Sequence, residues 1–124
     1  MDRLRFAELK EEVKKIERFV ARCQGLFLTA DDYAYKYAAR GNVGDLDRAI
    51  ATKQNCLRVV VNAEDVCRRV GEFFVELSAF DDVEFYAQTF DLLTVAQEVV
   101  RDCLEWYRML CESVDKGIYA DLRR

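Results

Sequence analysis

No proline occurs in the chain, and only five of its 124 residues are glycine. With so few breakers, apolar side chains that recur at alternating spacings of three and four can continue for many helical turns. Leu9, Val13, Ile16, Val20, Cys23 and Phe27 keep that spacing, and only a helix holds such a set on one face. A first helix is therefore expected from about Arg3 to Leu28, with a last turn weakened by Gly25. Thr29 followed by Asp32 resembles a capping box, so a short second helix is expected from about Asp31 to Arg40. Gly41 stands where a C-terminal cap is preferred, and Gly41-Asn42-Val43-Gly44 reads as the clearest loop.

A third helix is expected from about Asp45 to Leu77. Leu46, Ile50, Leu57, Val60, Ala63, Cys67, Val70, Phe74 and Leu77 form its seam. Val59-Val60-Val61 is β-branched enough for a strand, but the period on both sides is helical and no turn residues bound it. Gly71 marks a weak point or a close-packing site. Asp81 with Glu84 gives a second box-like start, and a fourth helix carries Tyr86, Phe90, Leu93, Val100, Cys103, Tyr107, Leu110 and Val114, interrupted by Gln97. Gly117 is expected to end it and leave 118–124 as a tail. The fold class that follows is all-α: an antiparallel bundle of three long helices and one short helix, forming a single domain over residues 1–124. The third and fourth helices would each be about 50 Å long at 1.5 Å per residue.

Charge and composition narrow the function classes. The net charge is −4, which disfavours a nucleic-acid coat or a membrane-surface protein. The charged start MDRLRFAELK has no apolar h-region, and no run approaches the roughly 18 residues of a membrane span, so a cytoplasmic protein without membrane contact is expected. Five cysteines, none in a Cys-x-x-Cys pair, suit reduced core positions. There is no histidine. That removes Glu-x-x-His di-iron sites, histidine phosphotransfer, ribonucleases built on an Arg and His pair, and c-type haem attachment. A carboxylate-only site of the all-α nucleotide-hydrolase kind survives in half: Glu8 and Glu11 supply Glu-x-x-Glu, but no Glu-x-x-Asp follows. No catalytic residue, metal or cofactor is expected.

Two surfaces remain. Lys10, Lys14, Arg18 and Arg22 form an i, i+4 basic stripe that would track phosphates, although Glu11, Glu12 and Glu17 interleave with it. A nucleic-acid-associated accessory role is the alternative reading it supports. The other surface is apolar. Val59, Phe73, Val95, Val99 and Trp106 lie off the assigned seams, and Tyr33, Tyr35 and Tyr37 cannot all face one core. These eight residues form the candidate interaction surface. The expectation they carry is a non-enzymatic helical interaction module that self-associates or joins a larger assembly as a small subunit.

Overall fold

The computed structural model describes residues 2–122, and describes side chains to residue 120. Four helices follow one another: α1 (Asp2–Glu17), α2 (Phe19–Arg40), α3 (Val43–Glu76) and α4 (Val83–Leu122). No strand occurs among the described residues, and Val59-Val60-Val61 is helical. α1 and α2 are two halves of one bent rod. The joint is Arg18, whose N–H reaches the Lys15 carbonyl at 3.3 Å, a three-residue span that tightens the turn. The rod, α3 and α4 make an antiparallel three-rod bundle; α2, α3 and α4 pack on one another, and α1 lies mainly against α3 and α4.

The turns follow local chemistry. Gly41 closes α2 in the left-handed region (φ 69°), its N–H donating to the Tyr37 carbonyl at 2.7 Å, a conformation that glycine adopts without a Cβ penalty. Asn42 then caps α3 by accepting the Gly44 N–H at 2.9 Å. At the other end Asp82, one residue after the expected cap, accepts the Phe85 N–H at 3.0 Å and starts α4. Arg3 binds Asp82 and Arg5 binds Glu76, both at 2.7 Å, while their guanidinium groups lie over Phe85 and Phe73. These contacts fasten the start of α1 to the α3–α4 turn.

Each rod presents an inner stripe of unbroken three-four spacing: Leu9 to Tyr37, Asp45 to Leu77, and Phe85 to Gly117. Much of it is small. Ala49, Cys56, Ala63, Thr89, Ala96 and Cys103 are fully buried, and the Thr89 hydroxyl is satisfied by the Phe85 carbonyl at 2.9 Å.

Three boundaries differ from the sequence reading. Thr29 starts no helix; its hydroxyl donates back to the Gly25 carbonyl at 3.0 Å inside an uninterrupted α2, so the short element is α1 and the break falls at Arg18. α3 starts at Val43, inside the stretch read as a loop, and runs unbroken through Gly71 as its expected span did. α4 continues past Gly117 to Leu122, because that glycine serves packing: a Cβ there would meet the Ala34 carbonyl oxygen at 3.0 Å. The expected tail is thus helical over 118–122, and 123–124 lie outside the described residues.

Candidate interaction surface

The seams read from the sequence on the third and fourth helices mix two faces: Val60, Ala63, Val70, Cys103, Leu110 and Val114 are core, while most of their other members are turned from it. Leu46, Ile50, Leu57 and Phe74 each stand one residue after a core position of α3, and Tyr86, Phe90, Leu93 and Leu104 one residue after a core position of α4. One residue is about 100° of helical rotation, so these side chains form a second stripe beside the first. On both helices it turns to the same side, away from the bent rod. The result is an outer α3/α4 groove.

At its upper end Phe74 packs on Tyr86 with ring centroids 4.6 Å apart and on Phe90 at 5.8 Å, yet Phe90 remains 53% exposed. Below this cluster lie two shallow, mostly apolar hollows of about 580 and 690 Å³. Cys67, Gly71, Val75 and Leu93 line the first; Val100, Leu104, Tyr107 and Cys111 line the second, and Gln97 borders both. Leu57 and Leu104 are each 43% exposed. Lys53, Glu64 and Gln97 are the polar members of the stripe, and neither Lys53 nor Glu64 makes an ion pair among the described residues. The rims are charged with both signs. Arg108 bridges Glu105 and Glu112 along α4, which raises the Arg108 pKa and holds the Glu105 carboxyl below its usual range. Arg68 bridges Asp65 and Glu72 along α3 at 2.7 and 2.6 Å.

Of the eight residues expected to form an interaction surface, the structure places most inside the bundle. Val59, Phe73, Val99 and Tyr37 are buried, and Trp106 is half-buried against Phe27 at 5.6 Å. Tyr33 is covered by Lys36 and Arg48, each 5.7 Å from its ring centroid. Only Tyr35 and Val95 are exposed, on α2 and on the α1-facing side of α4, so the eight are not brought together. The residues that sequence reasoning missed as surface, Leu57, Phe90 and Leu104, were visible as the second stripe.

The basic stripe is exposed along its length, but its sign is mixed. Lys14 pairs with Glu11 at 3.3 Å, and Lys10 and Lys14 share a hollow with Glu17 and Asp91. Arg18 sits at the bend between Lys14 and Arg22. Glu12 turns to α3 instead, where it meets Arg69 at 2.5 Å. Among the described residues no three His, Cys, Asp or Glu side chains are grouped so as to hold a metal ion.

Three thiols occupy the middle of the core, one from each rod. Cys23 is a neighbour of both Cys56 and Cys103, and the three influence one another's titration. The Cys103 neighbour pushes Cys23 up to about 12, and the Cys23 neighbour with burial pushes Cys56 up; Cys23 in turn lowers Cys103. All three are fully buried, which makes them structural and unreactive. Cys67 and Cys111 differ: both are half-buried and line the groove, and desolvation aided by Glu64 raises the Cys67 thiol.

No helix among the described residues is long and apolar enough to cross a membrane. Comparison with protein-family models, with curated proteins and with solved structures found no match.

Proposed function

We propose that this protein is a non-enzymatic helical interaction module that works by burying its outer α3/α4 groove against another helical surface. One observation carries this reading: α3 and α4 each hold a second apolar stripe that the three-rod core uses only in part, since Cys67, Leu93, Val100 and Tyr107 pack on its edge while Leu57, Phe90 and Leu104 stay exposed. A buried Leu or Phe side chain contributes about 1.5–3 kcal/mol relative to an exposed one. Leu57, Phe90 and Leu104 are 43–53% exposed in an isolated chain and so realise only part of that, and all three lie along one face of the bundle. Half-buried aromatic and aliphatic side chains, rimmed by paired charges, are the composition of a contact surface.

The two groove thiols supply a native probe. Labelling of Cys67 and Cys111 by a bulky maleimide is expected to be at least about tenfold slower in the protein as purified than in a Leu104→Glu variant, because a cover on the groove excludes the reagent. The added carboxylate by itself slows thiolate formation, so it works against the expected change. Equal rates in the two proteins would show an open groove and remove the reading.

A further inference from the structure

We infer that the groove is covered by a second copy of this chain, about a two-fold axis that runs along the bundle, so that α3 of each copy lies on α4 of the other. This rests on the reading of the groove as a docking surface and names its occupant.

The first argument is size. The stripe on α4 from Tyr86 to Cys111 is about 38 Å long at 1.5 Å per residue. Two helices set about 10 Å apart make the face about 20 Å wide. The product, about 750 Å², is close to the ~800 Å² per partner of a stable specific interface. A single docked peptide helix would cover only part of that width.

The second argument is charge. Within one chain α3 and α4 run antiparallel, with Gly71 beside Leu93 and Phe74 beside Tyr86 and Phe90. In that register Glu64 stands level with Val100 and Arg101, and Lys53 stands level with Cys111 and Glu112. A two-fold axis along the bundle preserves height and exchanges α3 for α4. Glu64 of one copy then faces Arg101 of the other, and Lys53 faces Glu112. The two stripe charges that lack partners within the chain thereby find opposite charges in a copy of the same chain. Turning the axis across the bundle instead sets α3 on α3. Because Glu64 lies near the middle of the face, it would then meet itself, which like-charge repulsion opposes. The arrangement with the axis along the bundle also gives α3, α4 and their mates a four-helix core in which every neighbour is antiparallel, with the outer stripes as its seam.

Light scattering across about 1–50 µM tests this, a range that brackets micromolar association. The expected mass is twice the 14.5 kDa of the chain. Leu104→Glu is expected to yield a monomer that keeps its helical spectrum and cooperative melt, since Leu104 lies outside the inner core. Glu64→Arg alone and Arg101→Glu alone are each expected to weaken the dimer about tenfold, and the double exchange to restore most of that loss. A monomeric wild type at 50 µM, or a dimer indifferent to Leu104→Glu, overturns the inference. Failure of the double exchange to restore affinity overturns the axis. Protected groove thiols in a complex with a different polypeptide would overturn the second copy as occupant while leaving the docking surface in place.

Discussion

The inner and outer stripes of α4 lie one residue apart and differ in the size of the side chains they carry. The inner stripe opens with Phe85, Thr89, Leu92, Ala96, Val99 and Cys103; the outer one with Tyr86, Phe90, Leu93, Gln97, Val100 and Leu104. At several steps the larger side chain is the one turned outward. Three long rods that meet along one axis need small side chains to approach closely, and Ala96 and Cys103 supply them. Large side chains suit the wider gap of an additional layer. Size therefore runs against burial over this part of α4, whereas at Leu110 and Cys111, and at Val70 and Gly71 of α3, the larger side chain is the inner one.

The largest expected effect separates the stripes by stability. Phe73→Ala removes a ring that is 1% exposed at the core and is expected to cost the isolated chain about 3–5 kcal/mol. Phe90→Ala, on the neighbouring stripe, is expected to cost less than about 1 kcal/mol in solution dilute enough to be monomeric, with its main effect on assembly. Urea unfolding of both variants at nanomolar protein decides the matter. Equal losses would mean that the outer stripe belongs to the core of one copy.

The glycines of α3 and α4 give a smaller contrast of opposite sign. Gly117→Ala forces a Cβ to 3.0 Å from the Ala34 carbonyl oxygen and 3.1 Å from the Ala34 Cβ, so the two rods must part; a loss of about 1–3 kcal/mol is expected. Gly71→Ala meets only the Leu93 side chain, at an ordinary 3.8 Å, and removes a mid-helix glycine. In dilute solution it is expected to stabilise the chain by about 0.5–1 kcal/mol. The same substitution places a methyl group in the groove, where a close-fitting second copy has less room for it. Thermal melts at low and high concentration would separate the two consequences: a gain at low concentration that shrinks at high concentration fits the two-layer picture, and a gain that is the same at both sharpens it against close approach at Gly71.

The helical bundle was legible because the spacing of apolar residues and the absence of proline both point to it, and neither depends on tertiary contacts. The choice of face on α3 and α4 was not. Hydrophobicity alone favours the stripe with Leu57, Phe74, Phe90 and Leu93 over the one with Ala49, Thr52, Cys56 and Ala96, so the expected seams mixed these outer residues with the true core positions Val60, Ala63, Val70, Cys103 and Leu110. A count of strict three-four recurrences would have found both, since Asp45 to Leu77 and Phe85 to Gly117 are unbroken. The break in the first rod misled for another reason. Thr29 can cap a helix or bond back to the preceding turn, and only the neighbouring rods decide between these. Gly117 misled in the same way, since a glycine that ends a helix and one that admits a close neighbour look alike in sequence.

The smallest expected effects concern the thiols, which divide between the same two regions. In solution dilute enough to be monomeric, a small alkylating reagent is expected to modify Cys67 and Cys111 and to reach Cys23, Cys56 and Cys103 only through global unfolding, because those three are fully buried. The rate at Cys67 should keep rising beyond pH 9, since desolvation and Glu64 hold its thiol above that ordinary value. The inner thiols act on stability instead. Cys23 and Cys56 keep their protons to higher pH when folded than when unfolded, so unfolding releases protons and stability falls as pH rises from about 9 towards the raised value of about 12. Cys103 works in the opposite direction, but its lowering depends on the proton that Cys23 retains, so two of the three oppose ionisation and the net sign is a loss. Cys56→Ala is therefore expected to flatten the decline of the melting temperature between pH 8 and pH 10.5, a window in which the thiols of the unfolded chain lose their protons. A wild-type melting temperature that stays level across that window, in step with the variant, would show that the inner thiols carry no such coupling, and that the chemical contrast between core and groove is one of access alone.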